Sequence, residues 1–241
     1  MPSGSPGNVV SDLTSIYVGE RDQVSRFPSF DAGTVGTVSA QFRGLCLSEQ
    51  TGMNLIATST TPNNKLHHAS GSYPLPDGGV GVPLFGRGRG WLWINGTQSS
   101  TLSTFVLPLT SSQLQKVVET PPGVVFQGSP AMGSLRDGGS PLVYVATTDG
   151  LLVVDALDGG YWAMPGSPTA DQPLSLDCAR SSDGGGRSDR PGTLYTVSSS
   201  GIVTALIVDS QGLDGLAAWP RWQRSAGNTG SMVTALNPGC P

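Results

Sequence analysis

The sequence predicts an all-β fold assembled from repeated antiparallel sheets, and three observations predict it. The first is composition: charged residues make up only 12% of the 241-residue chain, while 34 Gly and 19 Pro supply turns for many short strands. The second is the stretch from Gly192 to Leu206, two alternating apolar runs around Ser198-Ser199-Ser200-Gly201, which is a hairpin whose strands each bury one face. The third is its recurrence from Leu142 to Val154. Tyr144 and Tyr195 stand 51 residues apart, and a turn glycine, Gly150 or Gly201, follows six residues after each tyrosine. A fixed period of this size means stacked or radial units. Disorder, the competing reading of so much Gly and Pro, fits poorly, because apolar residues reach 37% and fall in short alternating runs.

Three weaker copies of the hairpin occur upstream. Ser15 to Phe27 carries Tyr17, Gly44 to Ile56 puts Cys46 in the tyrosine slot with Gly52 six residues on, and Trp91 to Ser99 uses Trp93. The anchors at 17, 46, 93, 144 and 195 are separated by 29, 47, 51 and 51 residues, so the first unit is expected to lack its outermost strand. The five anchors are expected at equivalent positions on the second strand of successive sheets. Upstream of the hairpins lie small-residue segments, Thr37 to Phe42 before Cys46 and Gln127 to Gly133 before Tyr144, suited to a crowded innermost strand. A fourth, outer strand is expected at Tyr161 to Met164 and at Val117 to Glu119. Four short antiparallel strands per unit make a propeller blade. The expected fold is therefore an all-β propeller of about five blade units over residues 1–212, its ring either closed or else incomplete or open, with residues 213–241 as a closing tail of the same domain.

Connectors are expected at Ser181 to Gly192, as a mobile surface loop, and from Thr61 through His67-His68 to Gly79. Ser111 to Glu119 is the one stretch able to start a helix, and it is too short to be stable by itself.

Two segments then resemble a known family. The run Val153-Val154-Asp155-Ala156-Leu157-Asp158-Gly159-Gly160-Tyr161-Trp162 and the stretch Trp219-Pro220-Arg221-Trp222-Gln223-Arg224-Ser225-Ala226-Gly227-Asn228-Thr229-Gly230 are similar to the quinoprotein-like (pyrroloquinoline-quinone-like repeat) β-propeller family. Asp155 and Gly159 keep the family offset, while Asp158 stands where the family has Thr, Trp162 sits one position early, and Ser225 replaces an Asp. The last unit keeps Ala205-Leu206. Complete propellers of the family carry seven or eight blades, so the resemblance implies a C-terminal fragment or a degenerate, partly open version; five blades closing by themselves is the other expectation. The family's dehydrogenases hold their quinone against a Trp and a disulfide between adjacent cysteines, with calcium bound nearby. No adjacent cysteines exist here and no Glu, Asn and Asp set matches, so neither quinone nor any other cofactor is expected.

Other chemistry is thinly represented. The net charge of −4 and sequence pI near 5.0 give no electrostatic reason to expect a nucleic acid or an anionic membrane. No apolar run approaches the roughly 18 residues of a membrane span. His67 and His68 are the only histidines, and their Pro-Asn-Asn-rich surroundings place them on an exposed loop. Most carboxylates sit in turn contexts such as Asp77-Gly78, Asp137-Gly138, Asp149-Gly150 and Asp158-Gly159, where Asp favours turns by bonding local amides.

Cys46, Cys178 and Cys240 form no CxxC pair, which argues against zinc. A Cys178–Cys240 disulfide pinning the tail to the last unit, with Cys46 as a buried free thiol, is one expectation; three reduced thiols is the other. The N-terminus carries no signal peptide pattern. Either the chain is cytoplasmic or Met1 is an internal start, and the family and the cysteine placement favour an extracytoplasmic location. The function expected is a non-enzymatic binding or scaffold propeller that engages a protein or glycan partner through loops at one end. The alternative is a hydrolase or lyase whose carboxylates converge on the central channel.

Overall fold

A computed structural model describes residues 9–11, 15–19, 23–28, 37–39, 42–47, 55–59, 64–68, 71–75, 79–81, 83–86, 88–107, 114–135, 139–164, 167, 169–170, 172–180, 186–187 and 191–213. Among them every regular element is a strand. No helix of the described residues is long and apolar enough to cross a membrane.

The first sheet runs in sequence order through β1 (Val9–Ser11), β2 (Ser15–Gly19), β3 (Gln23–Pro28) and β4 (Thr37–Ser39). The second repeats that order with β5 (Phe42–Leu47), β6 (Leu55–Ser59), β7 (Lys65–His68) and β8 (Gly71–Pro74). In the third, β9 (Gly79–Val80) pairs on β11 beside the main path of β10 (Leu84–Gly86), β11 (Arg89–Asn95), β12 (Ser100–Val106) and β13 (Gln115–Glu119). The fourth contains β14 (Phe126–Ser134), β15 (Leu142–Thr147), β16 (Gly150–Asp155) and β17 (Tyr161–Met164). The fifth has β18 (Ser175–Asp177), then, across the small ladder of β19 (Ala179–Arg180) and β20 (Gly186–Arg187), β21 (Gly192–Val197) and β22 (Val203–Val208). Finally β23 (Gly212–Leu213) returns to the inner edge of the fourth sheet beside β14. All the paired strands are antiparallel, so each sheet is a meander whose register is set by tight turns.

The two strongest sequence hairpins form in register. Tyr144 lies opposite Val153, and Tyr195 opposite Ala205. Their turn glycines have φ of +124° at Gly150 and +79° at Gly201, a region that L-residues with a Cβ avoid.

Sheets stack through apolar faces. Ile56, Leu66 and Cys46 of the second meet Phe85, Leu92, Ile94 and Phe105 of the third. Trp91, Trp93 and Leu102 of the third meet Met132, Val143, Val145 and Val154 of the fourth. Tyr144, Leu151 and Val153 of the fourth meet Leu176, Leu194 and Val208 of the fifth. Alternation along each strand explains this: successive residues of β15 serve two different cores, Val143 and Val145 one, Leu142, Tyr144 and Ala146 the other. The Trp93 ring reaches its place over Gly81, where a Cβ would come within 1.7 Å of the indole.

Several expectations change. Tyr17, Trp93, Tyr144 and Tyr195 do lie on second strands, β2, β11, β15 and β21. Cys46 does not: it lies on β5, the first strand of its sheet, opposite Ile56 on the second. The short first gap therefore reflects a misplaced anchor, and the first sheet has four strands rather than a missing outer one. The segment expected as the inner strand before Cys46 is divided, with Thr37–Ser39 closing the first sheet as β4 and Phe42 opening β5. Residues 115–119 form β13 instead of starting a helix, since Val118 is buried against Leu102 across the ladder while Lys116 and Glu119 face out. Gly186–Arg187 pairs with Ala179–Arg180, so the expected Ser181–Gly192 loop contains a strand. Leu213, assigned to the tail, pairs with Gly133, and β23 thus spans the boundary drawn at 212. Residues 214–241, including the Trp219–Gly230 stretch and Cys240, lie outside the described residues.

Candidate functional site

Two aspartates at a turn, Asp155 and Asp158, are engaged by their own backbone. Asp155 Oδ1 accepts hydrogen bonds from the amides of Leu157 and Asp158, at 2.8 and 3.2 Å, and Asp158 Oδ1 accepts from Gly160 N at 2.6 Å. Asp177 Oδ1 accepts from Cys178 N at 2.8 Å. A carboxylate occupied in this way sets turn geometry, and it is poorly placed to move a proton to a substrate. Glu119 is held low by hydrogen bonds from Lys116 and Ser99, on an exposed outer strand. Among the described residues, no group of three or more His, Cys, Asp or Glu could hold a metal ion.

The histidines are not on an exposed loop. Both lie on β7, partly buried, because Lys65-Leu66-His67 alternates and Leu66 is driven into the core between the second and third sheets. His67 stands opposite Ala57 on β6 and Ser72 on β8, with Ser59 two residues along β6 on the same face. Its Nε2 is 2.7 Å from Ser59 Oγ, and its Nδ1 is 2.8 Å from Ser72 Oγ. Burial, and then the charge of Lys65, hold the imidazole below its usual range and keep it neutral.

A hydroxyl, an imidazole and a second hydroxyl in line is the connectivity of a nucleophile, its base and an orienting group. Ser59, however, is fully buried. A nucleophile must reach a substrate carbon, which excludes Ser59 but not Ser72, which is exposed; the three side chains also form a polar clamp across β6, β7 and β8. The alternation of Lys65-Leu66-His67 and the Gly71-Ser72-Tyr73 return carried this hairpin in the sequence. Pro62-Asn63-Asn64 beside it obscured the strand signal.

The turns between second and third strands gather at one end of the third and fourth sheets. Gly123 N donates to Gln98 O and Thr148 N to Val125 O, so the connection from β13 to β14 runs beneath both turns. Below it, Asn95 pairs with the backbone of Phe126 through both side-chain atoms, at 2.9 and 3.0 Å, and Ser100 Oγ donates to Asn95 Oδ1 at 2.6 Å. These two turns expose Thr97, Gln98 and Asp149, and the corresponding turn of the fifth sheet exposes Ser199 and Ser200. These are short hydroxyl, amide and carboxylate groups on a rigid base.

Of the two described cysteines, Cys46 is the free one, and burial pushes its thiol well above its usual range. Cys178 follows β18; its expected partner Cys240 lies outside the described residues. Trp162, the residue nearest the family's docking tryptophan, is 48% exposed on the outer strand β17.

No family model and no curated protein matches the chain. Among solved structures, a candidate 6-phosphogluconolactonase from Bacteroides uniformis is similar at 13% identity, with a TM-score of 0.48 over 84% of this chain and 71% of that one. The β-propeller domain of Cps50 (Swd1) from Myceliophthora thermophila is similar at 14% identity, with a TM-score of 0.45 over 92% of this chain and 72% of that one. Both likenesses are distant.

Proposed function

We propose that the chain is a non-enzymatic binding or scaffold β-propeller of the quinoprotein-like kind, working outside the cytoplasm and engaging a glycan or protein through the turns at one end of its sheets. The observation that carries this reading is how the chemically capable groups are used. Asp155 and Asp158 bond turn amides, the histidine bridges two serines, and the adjoining turns of the third and fourth sheets expose Thr97, Gln98 and Asp149, as the fifth sheet's turn exposes Ser199 and Ser200. Short hydroxyls and amides on rigid turns suit hydrogen bonding to a polar, hydroxyl-rich ligand, and loops on a rigid scaffold are where binding residues concentrate. Between the two partner classes, this composition favours the glycan.

A glycan array probed with the purified chain tests the reading. Saturable binding is expected, lost in a Gln98→Ala/Asp149→Ala variant whose melting temperature is unchanged. Turnover of ester, lactone or glycoside substrates by the wild-type chain would replace it with the hydrolase reading. Addition of quinone with calcium is expected to leave the melting temperature and the absorbance unchanged, and a stabilisation of several degrees at micromolar quinone would reveal a site of the family type.

A further inference from the structure

The hydroxyl–imidazole–hydroxyl line across the second sheet is buried at one end and open at the other. Ser59 on β6 is fully buried, His67 on β7 is partly buried, and Ser72 on β8, the last strand of that sheet's path, is exposed. The register explains why Ser72 meets the imidazole so closely. Leu75 N donates to Asn64 O at 2.8 Å, one ladder step beyond the pair of Lys65 and Pro74, and antiparallel pairs alternate between bonded and non-bonded. His67 and Ser72 are therefore a non-bonded pair, the kind whose side chains stand closer, and the Ser72 N–H points away from β7 toward the outer edge of the sheet. A neutral imidazole has one N–H and one lone pair. With the proton on Nε2, the ring donates to the buried Ser59 hydroxyl at 2.7 Å and turns its Nδ1 lone pair to the Ser72 hydroxyl at 2.8 Å. A base held in place against an exposed alcohol is what nucleophilic attack by serine requires.

We propose that Ser72 is a covalent acyl-acceptor site, which takes the acyl group of an activated ester and keeps it. Ser72 Oγ forms a bond to the carbonyl carbon, its proton passes to His67 Nδ1 and from there to solvent, and the bond from that carbon to the leaving oxygen breaks, the oxygen taking the electron pair. Nothing is oxidised or reduced. The Ser72 N–H at the sheet edge is placed to donate to the carbonyl oxygen as that oxygen gains charge. Retention follows from the third member of the line. A hydroxyl at Nε2 brings no negative charge to stabilise an imidazolium, and burial and then Lys65 disfavour that ion further. The leaving oxygen of an activated ester departs as a stable anion without a proton. Hydrolysis of the seryl ester instead needs the imidazolium to protonate Ser72 Oγ, a poor leaving group, so acylation outruns release. The site lies on the second sheet, apart from the turns of the third, fourth and fifth sheets that are proposed to hold a glycan, and it does not depend on them.

Treatment of the purified chain with 4-nitrophenyl acetate tests this. A burst of one equivalent of nitrophenolate is expected, with one acetyl group on the peptide that contains Ser72. Hydroxylamine is expected to remove that group, as it does from a seryl ester and does not from a lysine amide. Ser72→Ala is expected to lose the label, and His67→Gln to slow its formation roughly 100-fold, the low end of what a positioned base contributes. Circular dichroism of both variants is expected to match the wild type, so that the loss reads the chemistry and not the fold. A hydroxylamine-resistant label confined to Lys65 and other amines, equal rates of labelling in the wild type and His67→Gln, or steady release of nitrophenolate beyond one equivalent that Ser72→Ala abolishes would each overturn the proposal.

Discussion

His67 shows how one side chain changes meaning once its strand is known. Partly buried, with a serine oxygen at each ring nitrogen, it is more stable neutral than charged, and its ionisation is shifted down, first by burial and then by Lys65 on the same face of the strand. The folded state therefore binds a proton less readily than the unfolded chain, whose histidine titrates near 6.5. Between the two values the unfolded state holds more protons, and stability falls as pH drops through that window. A His67→Gln variant is expected to lose this part of the acid slope while keeping a hydrogen-bonding group between Ser59 and Ser72. Melting temperatures of both proteins from pH 7.5 to 4.5 check it: an identical acid slope in the two would mean that His67 ionises as freely folded as unfolded.

At the scale of elements, the return strand β23 depends on one buried hydrogen bond beside its short ladder. Tyr144, at the centre of the fourth sheet, places its hydroxyl 2.7 Å from Ser210 Oγ, two residues before β23 pairs with β14, and both residues are buried. Burial pushes the phenol up to about 12, an effect that the bond to Ser210 opposes and Asp209 reinforces. Tyr144→Phe keeps the ring in its core but leaves Ser210 without that partner, so a loss of about 1–3 kcal/mol is expected in chemical denaturation. Removal of Ser210 as well, in Tyr144→Phe/Ser210→Ala, is expected to recover part of it, because the orphaned hydroxyl is then gone. This strand was the part of the fold least legible in the sequence. A six-residue offset from tyrosine to glycine located the β15–β16 and β21–β22 hairpins to within two residues at their ends, since period-2 alternation and a positive-φ glycine are local signals. Two residues returning across more than 60 positions leave no such trace, and neither did the second sheet, where Cys46 imitated an anchor from a first strand. The polar clamp at His67 was hidden for the same reason, because it joins strands whose pairing the sequence did not reveal.

The described residues form a series of meanders in which the third and fourth sheets each serve two cores at once, and the fifth sheet, packed on one face, carries a face that the series leaves over. That face carries Tyr195; the other question is how the chain beyond β23 is fastened. Cys46 is a free thiol inside the core between the second and third sheets, whereas Cys178 follows β18 at the start of the fifth. A Cys178–Cys240 bond would tie the last 28 residues after Leu213 to that sheet and close a loop of about 60 residues, worth roughly 4 kcal/mol in the chain-entropy model. The bond forms and persists only in an oxidising compartment, so it carries the localisation proposed above. Thiol titration separates the cases cleanly because burial raises the Cys46 thiol well above its usual range and masks it in the folded protein. In native protein purified without reductant, no rapidly reacting thiol is expected; after unfolding in denaturant, one is expected. Two fast thiols in the native state and three after unfolding would mean that Cys178 and Cys240 are both reduced, and the tail fastening and the extracytoplasmic location would fall together.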